Sequence, residues 1–297
     1  MNRDIFKGTG VALVTPFTEN SGIDFAALAK IVDRTIEGGV DYLLALGTTS
    51  ETPTLDKTER VAVARFIKER TAGRVPLIIG IGGNCTREVI AQLKEWNLEG
   101  YSAILSVNPY YNKPNQEGLY RHFSAIAEAS PLPIILYNIP GRTGVNMTPE
   151  TIARLAAEHD NIIGVKEASG NLEQMERIRE LAPANFMLIS GDDGLTVEVM
   201  RRGGVGVISV LAQLYPAELS AVVRTAAAGQ LDEAQQQLTA LDEITRLLFA
   251  EGNPTGIKSA LAEAGVCSDT VRLPLAEGSA ELHEALKKAM TEYENSK

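Results

Sequence analysis

Cysteine is almost missing from this chain: Cys85 and Cys267 are the two in 297 residues. They are too far apart in sequence for a CxxC pair or a disulfide framework, which suits a reducing cytosol and a cytoplasmic protein. Histidine is nearly as scarce. His122, His159 and His283 all fall in stretches with helical patterning, whereas a catalytic zinc or iron site wants imidazoles at strand ends. Asp192 and Asp193 resemble metal ligands only superficially, so no metal is expected. Excess positive charge is lacking too. With 28 basic and 38 acidic side chains the net charge is −10, which argues against a nucleic-acid surface and gives no reason to expect an anionic membrane partner. No stretch reaches 18 apolar residues, so no membrane span is expected. The start, "MNRDIFKGTGVALVTPF", lacks the apolar run of a signal peptide. Neither GxGxxG nor GxxxxGK[ST] occurs, so nothing marks a nucleotide site.

What the chain does have is a rhythm. Short apolar runs recur at 10–17, 42–46, 76–82, 103–107, 133–140, 162–168, 186–190 and 204–210. Each is rich in Ile, Val and Leu and continuous rather than alternating, as in parallel strands covered on both faces. Helix-length segments lie between them with start signals. Asp24 opens one, Thr148 followed by Pro149 opens another, and Asn171 opens a third that ends before Pro183. Eight β-α units in about 225 residues predict a (β/α)8 TIM barrel over 1–228, since a doubly wound sheet more often stops sooner. Residues 229–297 are expected to form a helical appendix packed on it, because no low-complexity linker intervenes.

In such a barrel, chemistry belongs at the C-terminal ends of the strands. Those ends read "GTTSET" (47–52), "GGN" (82–84), "NPYYN" (108–112), "YNIPGRTG" (137–144), "KEASG" (166–170), "GDDG" (191–194) and Ser209. They hold hydroxyls, an amine, three tyrosines and an arginine, while the opposite loops are turn-like or simply charged. Lys166 is the odd residue, an ammonium at the end of the apolar strand "IIGVKEA". A charge carried into such a place without a partner costs several kcal/mol, roughly. A strand-end lysine can instead snorkel to water; pairing with Glu167 is disfavoured because neighbouring strand residues face opposite ways. The reading favoured here is a nucleophile: a neutral amine attacks a carbonyl to form an imine, an electron sink that lets the adjacent carbon lose a proton. Thr48 and Thr49, with their backbone N–H groups, offer a carboxylate nest, although such a sequence is also an ordinary turn. Tyr137 and Tyr111 suit proton shuttling or simple packing, and Arg142 a carboxylate clamp or a solvated loop.

Taken together, "GTTSETPTL", "NPYYNKPNQEGLYRHF", "YNIPGRTG", "IIGVKEASGNL", "SGDDG" and "GVISV" resemble the dihydrodipicolinate synthase branch of the pyruvate-dependent class I aldolase and N-acetylneuraminate lyase superfamily. The resemblance runs from Gly10 to the C-terminal helices. It implies condensation of pyruvate with L-aspartate 4-semialdehyde on the route to diaminopimelate and lysine, with no cofactor beyond the Schiff base itself. Lys166 matches the Schiff-base lysine and Tyr137 the proton-relaying tyrosine. Thr49 and Tyr111 match the rest of the relay, the tyrosine being lent by a neighbouring subunit of a homotetramer, a dimer of tight dimers. Thr48 and Thr49 match the pyruvate-carboxylate site, Arg142 the semialdehyde-carboxylate arginine, and the carbonyls of Gly191 and Ile208 match those that face the lysine and the bound substrate. Asn84, Glu88 and Tyr110 match a lysine-effector site.

Two departures from the family pattern stand out. Ser50 replaces a usual glycine, and if that position has positive φ it costs about 1 kcal/mol. Lys57 and Arg60 stand where lysine-sensitive members often carry histidine or glutamate, so lysine feedback is expected to be weak or absent. The nearest rival reading is a sugar-acid lyase of the same superfamily; Arg142 and the paired tyrosines argue against it, since a polyhydroxylated substrate needs less cationic clamp. A non-catalytic carboxylate-binding barrel would not need the whole set of Lys166, Tyr137, Tyr111 and Thr49. A metal-dependent barrel lyase is disfavoured by where the histidines fall.

Overall fold

Eight parallel strands close on themselves in chain order in the computed structural model, which describes residues 3–297. They are β1 (Gly8–Ala12), β2 (Tyr42–Ala45), β3 (Leu77–Gly80), β4 (Ala103–Val107), β5 (Ile134–Asn138), β6 (Ile162–Glu167), β7 (Met187–Ser190) and β8 (Gly206–Ser209). Seven of the eight expected runs contain their strand whole and the first overlaps it, and the TIM barrel is the fold. The first strand sits earlier than its run. β1 pairs Gly8 with Gly206 and Gly10 with Tyr42, but past Leu13 the ladder ends, because the Val14 amide donates to the Gln213 side chain instead, at 2.8 Å, and Pro16 has no N–H to offer.

The helices are α1 (Phe25–Glu37), α2 (Lys57–Thr71), α3 (Thr86–Glu95), α4 (Gln116–Ala129), the single turn α5 (Pro140–Thr143), α6 (Pro149–Glu158), α7 (Leu172–Leu181), α8 (Thr196–Arg201) and α9 (Pro216–Ala227). Asp24, Thr148 and Asn171 each accept a backbone N–H as N-caps, as expected. Four more follow: α10 (Leu231–Thr239), α11 (Asp242–Ala250), α12 (Thr255–Glu263) and α13 (Ala280–Asn295). The stretch 231–250 is two helices, parted at Ala240–Leu241.

Two apolar layers follow from the closure. Inside the ring lie Ala12, Leu44, Ile78, Leu105, Ile135, Ile163, Met187 and Ile208, closed at the N-terminal end by Phe6 against the edge of Tyr42, ring centroids 5.9 Å apart. Between sheet and helices lies a larger layer, continuous with Leu238, Leu248, Leu261 and Leu286 of the last four helices. Those helices therefore share the barrel's own core. A buried polar residue also belongs to this shell: His122 on α4 meets the Thr86 hydroxyl through Nδ1 at 2.9 Å and stands edge-on to Phe123.

Burial lowers the His122 pKa from 6.5 to about 4, which gives a sign. The unfolded chain binds this proton near pH 6.5 and the folded one only near 4. Stability is therefore full above pH 6.5 and drains as pH falls toward 4, by up to about 3 kcal/mol. His122→Gln removes the titration, and its urea midpoint is expected to fall less than that of the parent between pH 7 and pH 4.5.

Candidate active site

The direction of one side chain decides the chemistry here. Along β6, Ile162 faces the outer layer and Ile163 the barrel interior; strict alternation would then send Lys166 outward, like Ile162. Instead the register slips. Ile134 pairs with Ile162, but Ile135 pairs with Gly164, so Ile163 and Gly164 oppose one residue of β5. This β-bulge resets the phase. Val165 turns out to the helix layer, Lys166 turns in and pairs with Tyr137, and Glu167 turns out again. The Lys166 Nζ lies 4.5 Å from the centre of the Tyr137 ring, and both residues are buried, at 6% and 5% exposure. Gly164 has to be small, since a Cβ there would stand 2.8 Å from the Met187 carbonyl oxygen. Gly191 opens room on the other side: its Cβ would sit 3.2 Å from Lys166 Cε.

Glu167 is no partner for the lysine. Its carboxylate accepts from Asn138 Nδ2 at 2.9 Å, Gln174 Nε2 at 3.0 Å and the Ser169 amide at 2.8 Å. Burial raises its pKa and these donors oppose the rise. Asn138 in turn accepts from Asn108 Nδ2 at 2.7 Å, which ties the ends of β4, β5 and β6 into one rigid rim. Asp193 does the same for β7 and β8, accepting from the amides of Val210 and Leu211 at 3.0 and 3.1 Å and from the Ser209 hydroxyl.

Over this floor opens a cavity of about 330 Å3, walled by Thr48, Tyr137, Arg142, Ile139, Val107 and Tyr110 among others. The two threonines part ways. Thr48 faces the cavity, whereas Thr49 is buried and its Oγ1 accepts from Asn253 Nδ2 at 2.9 Å. The Asn253 carbonyl also accepts from Arg142 Nη2 at 2.8 Å, so one residue between α11 and α12 braces both the turn and the arginine. Nothing in "EGNPTG" beyond ordinary loop punctuation gave Asn253 away, because its role depends on a contact 204 residues distant. Ser50 is not strained: positive φ falls at Glu51 (+53°), one residue later, and the Ser50 hydroxyl donates to the Leu13 carbonyl at 2.6 Å. The expected cost at that position is thus corrected to a bond that anchors the turn to the end of β1.

Tyr111 is not part of this cavity. It is 89% exposed and held at φ +72°, projecting away from its own barrel. Of the effector-site candidates, Asn84 donates to the Tyr110 carbonyl at 3.1 Å and accepts from Asn112 at 2.9 Å, while Glu88 lies in the first turn of α3. Lys57 is matched by Glu95 at 2.6 Å. Arg60 reaches the cavity wall with its Nε donated to the carbonyls of Thr52 and Leu55. The histidines lie away from the strand ends, His122 on α4, His159 just past α6 and His283 on α13.

Residues 5–293 match the family model described as Dihydrodipicolinate synthetase family. The chain belongs to the dihydrodipicolinate synthetase family. A relative from Parabacteroides distasonis, named 4-hydroxy-tetrahydrodipicolinate synthase, is 54% identical over 91% of both chains. Among solved structures, dihydrodipicolinate synthase from Thermotoga maritima superposes with a TM-score of 0.95 at 38% identity, covering 98% of this chain and 99% of that one. The Acinetobacter baumannii synthase, described as complexed with pyruvate, gives 0.94 at 40% identity over 97% and 99%. In the family, then, the reactive group is a lysine that forms a Schiff base with pyruvate, and no separate cofactor is used.

The bulge makes a prediction of its own. Gly164→Ala drives a methyl into the Met187 backbone, and is expected to destabilise by about 1–3 kcal/mol while lowering the yield of a lysine adduct at residue 166. Thermal unfolding and mass mapping after reductive trapping measure the two effects. A variant that keeps both at the parental level would mean that β6 relaxes freely around the added carbon.

Proposed function

We propose that the protein is a 4-hydroxy-tetrahydrodipicolinate synthase, a lyase condensing pyruvate with L-aspartate 4-semialdehyde through a Schiff base on Lys166. The observation that carries this reading is the inward turn of Lys166 onto Tyr137 in a buried floor under a cavity of substrate size. The free amine of Lys166 attacks the pyruvate ketone, and loss of water leaves an imine. Proton removal from the methyl carbon then gives an enamine, which adds to the aldehyde of the semialdehyde. The amino group of that substrate displaces Lys166 from the imine carbon, closing the ring and returning the enzyme. One water is released for each turnover.

Each proton step needs a carrier, because a phenol of pKa about 10 is a poor base alone. Tyr137 is the carrier beside the lysine. Thr48, which shares the cavity wall with Tyr137, takes the hydroxyl relay that the family pattern had suggested for Thr49. Thr49 keeps the turn in place through Asn253, and the N–H groups of this turn face the pyruvate carboxylate. Arg142 receives the carboxylate of the semialdehyde, a charge-assisted contact of the strong kind. The carbonyls of Gly191 and Ile208 complete the floor. An exposed tyrosine on a strained backbone supports Tyr111 as the relay member lent to a neighbouring subunit, and with it a homotetramer built of tight dimers in the cytoplasm. Residues 229–297 act as part of the same catalytic unit as the barrel of 1–228.

Trapping tests the reading directly. Pyruvate with sodium borohydride is expected to add one pyruvate-sized mass on the peptide containing Lys166, and none to Lys166→Ala. A folded protein that takes up no adduct would remove the mechanism. The effector site gives a second measurement: Lys57 is matched by Glu95, but Arg60 keeps a fixed cation at the cavity wall, so free lysine is expected to inhibit weakly or not at all. Half-inhibition at sub-millimolar lysine would contradict this.

A further inference from the structure

Two fully buried charges lie outside the cavity and take no part in the chemistry above. Lys258 on α12 and Glu51, which ends the turn carrying Thr48 and Thr49, are ion-paired with both side chains at 0% exposure. The Glu51 carboxylate is used at both oxygens: Oε1 accepts from Lys258 Nζ and Oε2 from the Arg272 amide at 3.0 Å. Lys258 Nζ also donates to the Thr270 carbonyl at 2.8 Å and lies 4.1 Å from the centre of the Phe17 ring; the Arg272 guanidinium lies 4.3 Å from the same ring. Burial pushes the Lys258 ammonium toward the neutral form, and Glu51 opposes that push.

A pair of this kind is a poor device for stability alone, since well-packed apolar residues of similar volume serve as well or better. It is a good device for direction. The turn it ends is bracketed by two non-glycine residues in the left-handed region, Leu46 (φ +57°) and Glu51 (φ +53°), a conformation that persists only where its surroundings hold it. Ser50 is fixed to Leu13 and Thr49 to Asn253, so the third anchor is Glu51 itself. We propose that Lys258 and Glu51 are positioning residues that hold the Thr48–Thr49 turn in the geometry needed by the pyruvate carboxylate. This rests on the function proposed above and adds to it a role for the C-terminal helices.

The test uses the full-length double variant Glu51→Leu/Lys258→Met, which removes both charges while keeping an apolar filling. Thermal unfolding, kcat and both KM values are read against the parent. Expected is a folded protein whose pyruvate KM rises about ten-fold, as small misplacements of binding groups do, while the semialdehyde KM stays within about two-fold. A folded double variant with both KM values and kcat unchanged overturns the proposal, and so does an equal rise in both KM values, which is general loosening. Should the double variant not fold, Glu51→Gln, which keeps shape and a hydrogen-bonding end, decides by the same split. Borohydride trapping on the parent keeps the two claims apart: a parent that traps pyruvate beside an unaltered variant sinks only the positioning role, whereas a parent that traps none sinks the function beneath it.

Discussion

The inward turn of one lysine depends on one extra residue in β6. Had the strand kept strict alternation, Lys166 would face the helix layer among Leu, Ile and Val, where an ammonium costs several kcal/mol, roughly, without a partner. The two-against-one count at Ile163 and Gly164 transfers that side chain to the barrel floor, in register with Tyr137. The same step sends Glu167 to the outer side, where three bonds hold it, from Asn138, Gln174 and Ser169, and Asn138 Nδ2 donates also to Asn146 Oδ1 at 2.8 Å. Lys166 and Glu167, as strand neighbours, face opposite ways in either register; the bulge decides that the amine, and not the carboxylate, is the one on the barrel floor. An amine beside a carboxylate would be kept protonated; an amine beside a phenol ring and a glycine has room to react.

Around that floor the polar groups divide into those that touch the cavity and those that hold the rim. Thr48, Tyr137 and Arg142 touch it. Asn108, Asn138, Asp193, Ser209 and Asn253 hold it, each through bonds to backbone or to another side chain. This is how a barrel keeps loops rigid enough for chemistry: binding groups stand on strand ends whose neighbours are locked by buried polar bonds.

Much of this was open to reading from residues alone. Short continuous Ile/Val/Leu runs alternating with helix-length segments read as strands buried on both faces, so the barrel followed from eight of them, and Lys166 announced itself as a charge out of place. The family motifs carried Tyr137 and Arg142. Other features were closed to such reading because they are made by contacts between remote segments. The bulge is invisible in "IIGVKEA", where the extra residue looks like any other isoleucine. The difference between Thr48 and Thr49 depends on where Asn253 arrives. Ser50 looked like a misfit for a glycine until its φ and its bond to Leu13 were in view.

Lys258 lies 207 residues after Glu51, and this distance has a meaning for the order in which the molecule is made. On a ribosome adding about 5–20 residues per second, the second βα loop emerges roughly 10–40 s before its buried counter-charge exists. Through that interval Glu51 lacks the ammonium that accompanies its carboxylate into the interior. A chain released early would carry Lys166, Tyr137 and both threonines and still lack the residues that lock the loop. The burial of Glu51 thus ties the second βα loop to segments made late in synthesis, Lys258 first and the Arg272 amide after it.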